Sequence, residues 1–423
     1  MKARQACILT TLVLALVPAV ARAVPSPNGA TFKVSNCDDC RKRSPSVAGV
    51  PAGTAAGTFL VTWESTSPAD LFGISARFFT KAGAPKAADF LVNKDIAPQQ
   101  QDPSVGTDAA GNSVVAWSVK NGVNLDIMVQ RYKAGGAANG AAVMVNVDDP
   151  AAPVKPLDIA PAVAVAPNGS FVVAWARSTP PSATSPGTLP AVMVRRYSNA
   201  GAPVGPPVQL STGLALGTRP DVCIDPTGRA VVAWTNVNGF FPFQPNLKGV
   251  SVRRVSAAGA ALETEIAVAK PLAADSSAAV ICGTAGAFVV SWSTNLAPAV
   301  DGSDIVAQRF SALAKPVGTP FRLNSVTAGD QTQPAMMSDA AGNFTAVWQS
   351  HQTTTKFSDF IMGRRFLASA TADGADFTVH ARATQIEERP VSPDIANLGA
   401  AGFVVVWTQG SSGLQAQRYK LTK

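Results

Sequence analysis

The hydrophobic pattern of this chain is a repeat. A β-branched and aromatic run closed by tryptophan occurs at Gly57-TFLVT-Trp63, Gly111-NSVVA-Trp117, Gly169-SFVVA-Trp175, Gly228-RAVVA-Trp234, Gly286-AFVVS-Trp292, Gly342-NFTAV-Trp348 and Ala401-GFVVV-Trp407. All 7 Trp residues belong to this series, at spacings of 54, 58, 59, 58, 56 and 59. Short runs of this composition read as strands, and a near-constant period reads as a repeat architecture.

Each repeat holds four such segments. The first has the form seen in Pro161-AVAV and Pro220-DVCI, and a tight turn such as Asp225-PTG or Asp339-AAGN follows. In these turns Pro fixes φ and Gly supplies positive φ. The Trp run is the second segment. The third ends in a basic-aromatic pair, as in Gln130-RY, Arg195-RY, Gln308-RF, Arg364-RF and Gln417-RY. After a Gly-Ala-Pro type turn comes a fourth, such as Phe90-LVN, Phe321-RLN or Phe377-TVH. Four strands in each of seven repeats predict an all-β fold, a seven-bladed β-propeller with four-stranded antiparallel blades. Phe32-KVS matches the fourth segment ahead of the first repeat, while the last repeat stops after its third, Gln415-AQRY. The N-terminal strand is therefore expected to join the C-terminal blade and close the ring. An open solenoid would instead need capping repeats.

Composition fits this reading. A hydrophobic share of 47% with 15% charged residues excludes a disordered chain, and 34 Gly with 32 Pro argue against a helical bundle. Residues 1–23 read as a secretory signal: Lys2 and Arg4, an apolar stretch from Ile8 to Val17, and Ala21-Arg22-Ala23 before Val24. Residues 24–423 then form the propeller, exported to the periplasm or the extracellular space, with no membrane span. Losing Lys2, Arg4 and Arg22 would lower the net charge from +8 to +5. Ten arginines recur in the third segment (Arg77, Arg131, Arg195, Arg196, Arg253, Arg254, Arg309, Arg364, Arg365 and Arg418). Spread around a ring, they point to packing and pairing between strands, and no nucleic-acid partner is expected.

The wording of the repeats is also familiar. Asp301-GSDIVAQRF, Phe321-RLNSVTAGDQTQP and Gly342-NFTAVW together resemble the β-propeller-type repeats of secreted bacterial surface, adhesin-like and haemolysin-type calcium-binding proteins, over nearly all of residues 30–423. The resemblance implies an exported propeller and lends no catalytic residues. The sequence lacks the glycine-aspartate nonapeptides and the Asp-x-Asp-x-Asp-Gly loop of calcium binders, so no metal and no cofactor are expected.

Four cysteines remain beyond Cys7. Cys37 and Cys40 have redox-motif spacing but follow a predicted strand in a loop, which favours a local disulfide over a reactive thiol or a zinc site. Cys223 and Cys282 stand 11 and 10 residues before their Trp, on opposite strand faces of adjacent repeats. That offset predicts an inter-repeat bridge, with two free thiols as the alternative. The Trp residues are expected to wedge between sheets, and the three Tyr share a structural slot. His380 falls at the slot of Asn93 and Asn324, expected at a turn-facing edge. Glu64, Glu263, Glu265, Glu387 and Glu388 show no motif.

What varies is the loops between second and third segments and between repeats, which should open on one face. Recognition on a rigid scaffold usually sits in such loops. The candidate ligand contacts there are Arg219, the apolar cluster Phe240, Phe241 and Phe243, and the polar residues Asp304, Asp330 and His351; the phenylalanines either meet a partner or fold back as a lid. The leading expectation is a secreted, non-catalytic propeller of adhesion type that binds a protein or glycan at this face. The alternatives are a polysaccharide-acting hydrolase or lyase with acids at the channel mouth, and a structural subunit of a cell-envelope complex.

Overall fold

The computed structural model describes residues 24–38, 40–66, 72–94, 99–122, 124–148, 154–180, 188–211, 216–238, 246–269, 276–295, 302–352, 359–380, 390–410 and 413–422. The signal segment and Phe240, Phe241 and Phe243 lie outside the described residues. Among the described residues there is no α-helix, only the short 3-10 turns Thr284–Gly286 and Gly399–Ala401.

The strands form a β-propeller of antiparallel meanders. Four sheets have four strands each, and a fifth is built around Pro390–Asn397, Phe403–Gln409 and Gly413–Thr422. The second and third repeats run together in one eight-stranded sheet, joined by a single parallel pairing of Leu157 with Leu125. Among the described residues, separate blades therefore number five, rather than the expected seven. The merger arises because one backbone bridge at the start of Leu157–Val165 reaches the third strand of the preceding repeat. The first strands adjoin one another in order, Arg41–Gly49 beside Gln99–Thr107 and onward, until Pro390–Asn397 meets Arg41–Gly49 again. Phe32–Lys33 pairs with Ala416 and Gln415 as expected, and Val24–Pro27 extends the same edge against Tyr419–Thr422.

The core lies between neighbouring sheets. Every Trp is at most 4% exposed, each fitted against an adjacent repeat as a wedge. At the base of the second strand an aromatic stacks on the last aromatic of the third: Phe59 on Phe79 at 4.8 Å, Phe171 on Tyr197 at 4.5 Å, Phe288 on Phe310 at 4.8 Å, Phe344 on Phe366 at 4.9 Å and Phe403 on Tyr419 at 4.9 Å. The recurrent arginines latch repeats together. Arg77, Arg195, Arg253 and Arg364 donate to the carbonyls of Val34, Val145, Leu210 and Leu323, while Arg131, Arg309 and Arg418 donate to those of Asn199, Ser369 and Lys81. The slot of Asn93 and Asn324 is buried rather than turn-facing: their Oδ1 atoms accept from the Ile74 and Ile305 amides at 2.8 Å. His380, at the same slot, lies 5.4 Å from the Trp407 ring.

Both predicted disulfides form. Cys37 is bonded to Cys40, and Cys223 to Cys282 across neighbouring sheets, each with Cα atoms 5.6 Å apart.

The first strands share a bulge. Their pairing slips at Arg43/Ser46, Gln101/Ser104, Ile159/Ala162, Thr218/Asp221, Ser276/Ala279, Thr332/Ala335 and Val391/Asp394. At each slip a non-glycine residue takes φ near +50°: Ser44, Asp102, Ala160, Arg219, Ser277, Gln333 and Ser392. This left-handed conformation is costly for residues with a Cβ. Six of them precede proline, and the amides of Asp102, Ala160 and Ser392 are held by the side chains of Glu64, Ser118 and Gln333. Together they line the mouth of the central channel.

Just beyond each bulge, a side chain reaches to the next sheet. Val105 N donates to Ser46 Oγ, Val163 N to Ser104 Oγ, Val280 N to Asp221 Oδ2 at 2.7 Å and Val47 N to Asp394 Oδ2 at 2.8 Å. The second oxygens of Asp221 and Asp394 accept from Val222 N and Ile395 N. Burial pushes both carboxyls up to about 6 despite these bonds, and the charge of Asp394 adds to the shift at Asp221. An acid raised in the folded state favours folding while protonated, so this contribution is complete below the usual carboxylate range and is lost as pH rises to about 6 and above. Thermal unfolding of Asp221→Asn and Asp394→Asn is therefore expected to depend less on pH across that window than unfolding of the parent. An unchanged slope in both variants would contradict the assignment.

Candidate functional site

A cleft of about 280 Å³ opens at the channel mouth between the first and second repeats. It is lined by Arg41, Arg43, Glu64, Phe72, Asp102 and Arg219, among others. Arg41 and Arg43 lie at the start of the first strand of repeat one, Glu64 follows Trp63 near the end of its second strand, Phe59–Thr66, and Phe72 is the turn residue just before its third strand, Gly73–Phe79. Asp102 and Arg219 occupy the left-handed bulge positions of repeats two and four. Ends of second strands and starts of first strands thus meet on one face, as the meander requires.

Two carboxyl groups share this cleft. Glu64 Oε1 accepts the Asp102 backbone amide at 2.8 Å, and Arg43 Nε lies 3.7 Å from Glu64 Oε2. At the equivalent junction of the next two repeats, the bulge amide of Ala160 is capped by the hydroxyl of Ser118 at 3.2 Å. A hydroxyl is therefore enough for the structural task, and Glu64 brings a second oxygen that the cap leaves facing Arg43 and the cleft. Burial raises the Asp102 carboxyl above its ordinary range, and the Glu64 charge raises it further; Arg219 and the Gln101 amide, which donates to Asp102 Oδ2 at 3.3 Å, oppose the shift. Glu64 thus touches the Asp102 backbone, and its charge acts on an Asp102 carboxyl that burial already raises.

Tyrosine is not available here. Tyr132, Tyr197 and Tyr419 are at most 5% exposed in the core, and burial raises their hydroxyls, that of Tyr132 to about 12.

The remaining sequence candidates separate from this cleft. Arg219 lies in it. Asp304, Asp330 and His351 gather at repeats five and six. Asp304 pairs with Arg322 at 3.1 Å and accepts from Asn324 Nδ2 at 2.7 Å. Asp330 accepts from Ser303 N and Oγ and stands opposite His351 on the paired strand. His351 ends a strand rather than lying in a loop, and its Nδ1 is 3.0 Å from Oδ1 of buried Asp359. These acids are held in local structure. Among the described residues, one acidic trio, Asp126, Asp148 and Asp158, is close enough to surround a cation. Arg177 already stands there, 2.7 Å from Asp158 and 2.9 Å from Asp148.

The sequence shows no motif at Glu64, and Asp102, Arg41 and Arg43 are not among its candidates. The available signal was departure from the repeat. After Trp the other repeats carry Ser118, Ala176, Thr235, Ser293, Gln349 and Thr408, and only repeat one has an acid; only repeats two and four place a charge at the bulge.

No protein-family model and no curated protein matches the chain, so the likeness to adhesin-like surface repeats gains no family. Solved structures do match in fold. A polysaccharide lyase, an ulvan lyase bound to a glucuronate–sulfated rhamnose unit, shares 10% identity over 93% of this chain and 96% of its own, with a TM-score of 0.53. A Dyadobacter fermentans protein of unknown function shares 9% over 94% and 99%, at 0.51. A Hadza microbial sialidase shares 12% over 86% and 76%, at 0.49. Of these, the ulvan lyase, with a TM-score of 0.53, is the glycan-acting enzyme whose fold this chain shares. This finding overturns the expectation of a non-catalytic adhesion propeller. No helix among the described residues is long and apolar enough to cross a membrane, and the two disulfides are consistent with export. The chain is similar to these propellers in fold, at identities that establish no family.

Proposed function

We propose that this protein is an exported propeller enzyme that hydrolyses a polysaccharide at the channel mouth, with Asp102 as general acid and Glu64 as general base. The placement of Glu64 and Asp102 in one cleft at the channel mouth carries this reading, and burial together with the Glu64 charge raises the Asp102 carboxyl. In the reaction, the Asp102 O–H proton passes to the glycosidic oxygen as its bond to the anomeric carbon breaks. Glu64 takes a proton from the water whose oxygen attacks that carbon. The leaving sugar gains a hydroxyl hydrogen, the anomeric carbon gains hydroxyl, and the two carboxyls have exchanged protonation states. We also count the eight-stranded sheet as two blades, which gives seven around the ring, and assign residues 1–23 as the export signal.

Elimination is the second reading, favoured by the guanidinium groups of Arg41 and Arg219 in the cleft. They would stabilise the charge that develops when Glu64 removes the proton beside a uronate carboxylate while Asp102 protonates the departing oxygen. Incubation with a panel of neutral, uronate-bearing and sulfated polysaccharides separates the two. New reducing ends without ultraviolet absorbance support hydrolysis, unsaturated products with absorbance support elimination, and no cleavage of any polymer rejects both.

A further inference from the structure

Arginine in this protein is overwhelmingly a structural residue. Besides the latches described above, Arg177, Arg229, Arg254, Arg322 and Arg365 are held in ion pairs, and Arg196 donates to the Ser256 carbonyl. Two described arginines depart from this. Among the described residues, the side chain of neither Arg41 nor Arg219 makes a hydrogen bond or ion pair within the chain; both residues are exposed, and both line the cleft that holds Glu64 and Asp102. Arg219 also acts electrostatically on Asp102. The cleft sets three guanidiniums, those of Arg41, Arg43 and Arg219, against the two carboxyls of Glu64 and Asp102, so positive charge is in excess there.

We infer that the substrate is an anionic glycan, and that Arg41 and Arg219 bind its carboxylate or sulfate group. The inference rests on the cleft being the site of action. Arg41 enters from the first strand of repeat one, opposite Thr66, and Arg219 from a bulge three repeats further round. An acidic group received between them is approached from two sides, and the planar donor fork of arginine matches both carboxylate and sulfate oxygens. The strained bulge fixes the Arg219 Cα on the sheet rather than on a loop. A neutral sugar would leave both guanidiniums without a counter-charge.

The test uses the intact protein carrying Asp102→Asn, so that ligand survives, with binding followed calorimetrically. The probes are a uronate oligosaccharide, a sulfated oligosaccharide of neutral sugars and an unsubstituted neutral oligosaccharide. One or both anionic probes are expected to bind at least about 10-fold more tightly than the neutral one, and adding Arg41→Gln or Arg219→Gln is expected to weaken that binding by about 10- to 100-fold without moving the unfolding midpoint. Preference for the uronate identifies carboxylate as the source, and preference for the sulfated probe identifies sulfate. Equal binding of acidic and neutral probes, binding of none, or indifference to both arginine substitutions would overturn the inference. Failure of the catalytic reading is seen separately: if Glu64→Gln in the otherwise native protein keeps full turnover, the hydrolytic pair falls while the arginine result stands.

Discussion

Asp102→Asn is expected to remove turnover of the cleaved polysaccharide, with kcat falling by about 10²- to 10⁴-fold, the usual contribution of a positioned acid. Asparagine keeps the size of the side chain and the amide that Glu64 caps, so the fold should persist, as an unchanged circular dichroism spectrum and unfolding midpoint would show. Glu64→Gln should be equally damaging while still capping the Asp102 amide through its carbonyl. The parent's rate should fall as pH rises through the raised range of Asp102, because its proton is the one delivered to the leaving oxygen; burial sets this limb and the Glu64 charge extends it. Arg219→Gln removes an opposing influence, so the same limb should move to higher pH. Retention of activity in Asp102→Asn, or a limb that stays in place in Arg219→Gln, would place the chemistry elsewhere.

The second large effect concerns stability. Cys223 and Cys282 are 59 residues apart, and their bond ties the first strands of neighbouring sheets close to the channel. Closing a loop of that size restricts the unfolded chain, and the double variant Cys223→Ser, Cys282→Ser is expected to lose about 4 kcal/mol against denaturant. The Cys37–Cys40 bond closes a segment of only 3 residues' separation and should matter far less. Chemical denaturation of the two double variants side by side would check this; a larger loss from the short bridge would refute it.

Much of this architecture is legible in the sequence because repetition multiplies weak local signals. A single Phe-Val-Val-x-Trp run is an ordinary strand, but its recurrence exposes the sheet plan, the wedge role of Trp and the half-step offset of Cys223 against Cys282. The ring-closing Phe32–Lys33 is readable by the same comparison. Val24–Pro27 is not, since its two prolines disguise an edge strand paired with Tyr419–Thr422. Nor does a pattern of residue types announce the lone backbone bridge that joins the second and third repeats.

The cleft was hidden for a different reason. Glu64 and Asp102 are 38 residues apart, and no local motif links them. They meet because one stands just after a Trp and the other at a bulge of the next repeat. The bulge itself is a backbone event: Asp102-Pro103 and Arg219-Pro220 read as extended dipeptides, since proline disfavours helical geometry in the residue before it, and nothing in them announces positive φ. Without that turn of the chain, the two side chains have no reason to point into one space.

The closing seam has a bearing on how the molecule is made. Thr31 hydroxyl meets Gln417 across 386 positions of sequence, and Phe32–Lys33 can pair with Gln415 and Ala416 only after the whole chain has been delivered. Contacts so distant in sequence form slowly, because the loop they close is long. The sheets between can assemble from neighbouring segments as they emerge, and Cys223–Cys282 can be oxidised before either end is in place. The pairing of Phe32–Lys33 with Gln415 and Ala416 is then a late event, and until it happens the last sheet has an open edge. The interval between delivery and that pairing is when the newly made protein is most exposed to strand exchange with another copy.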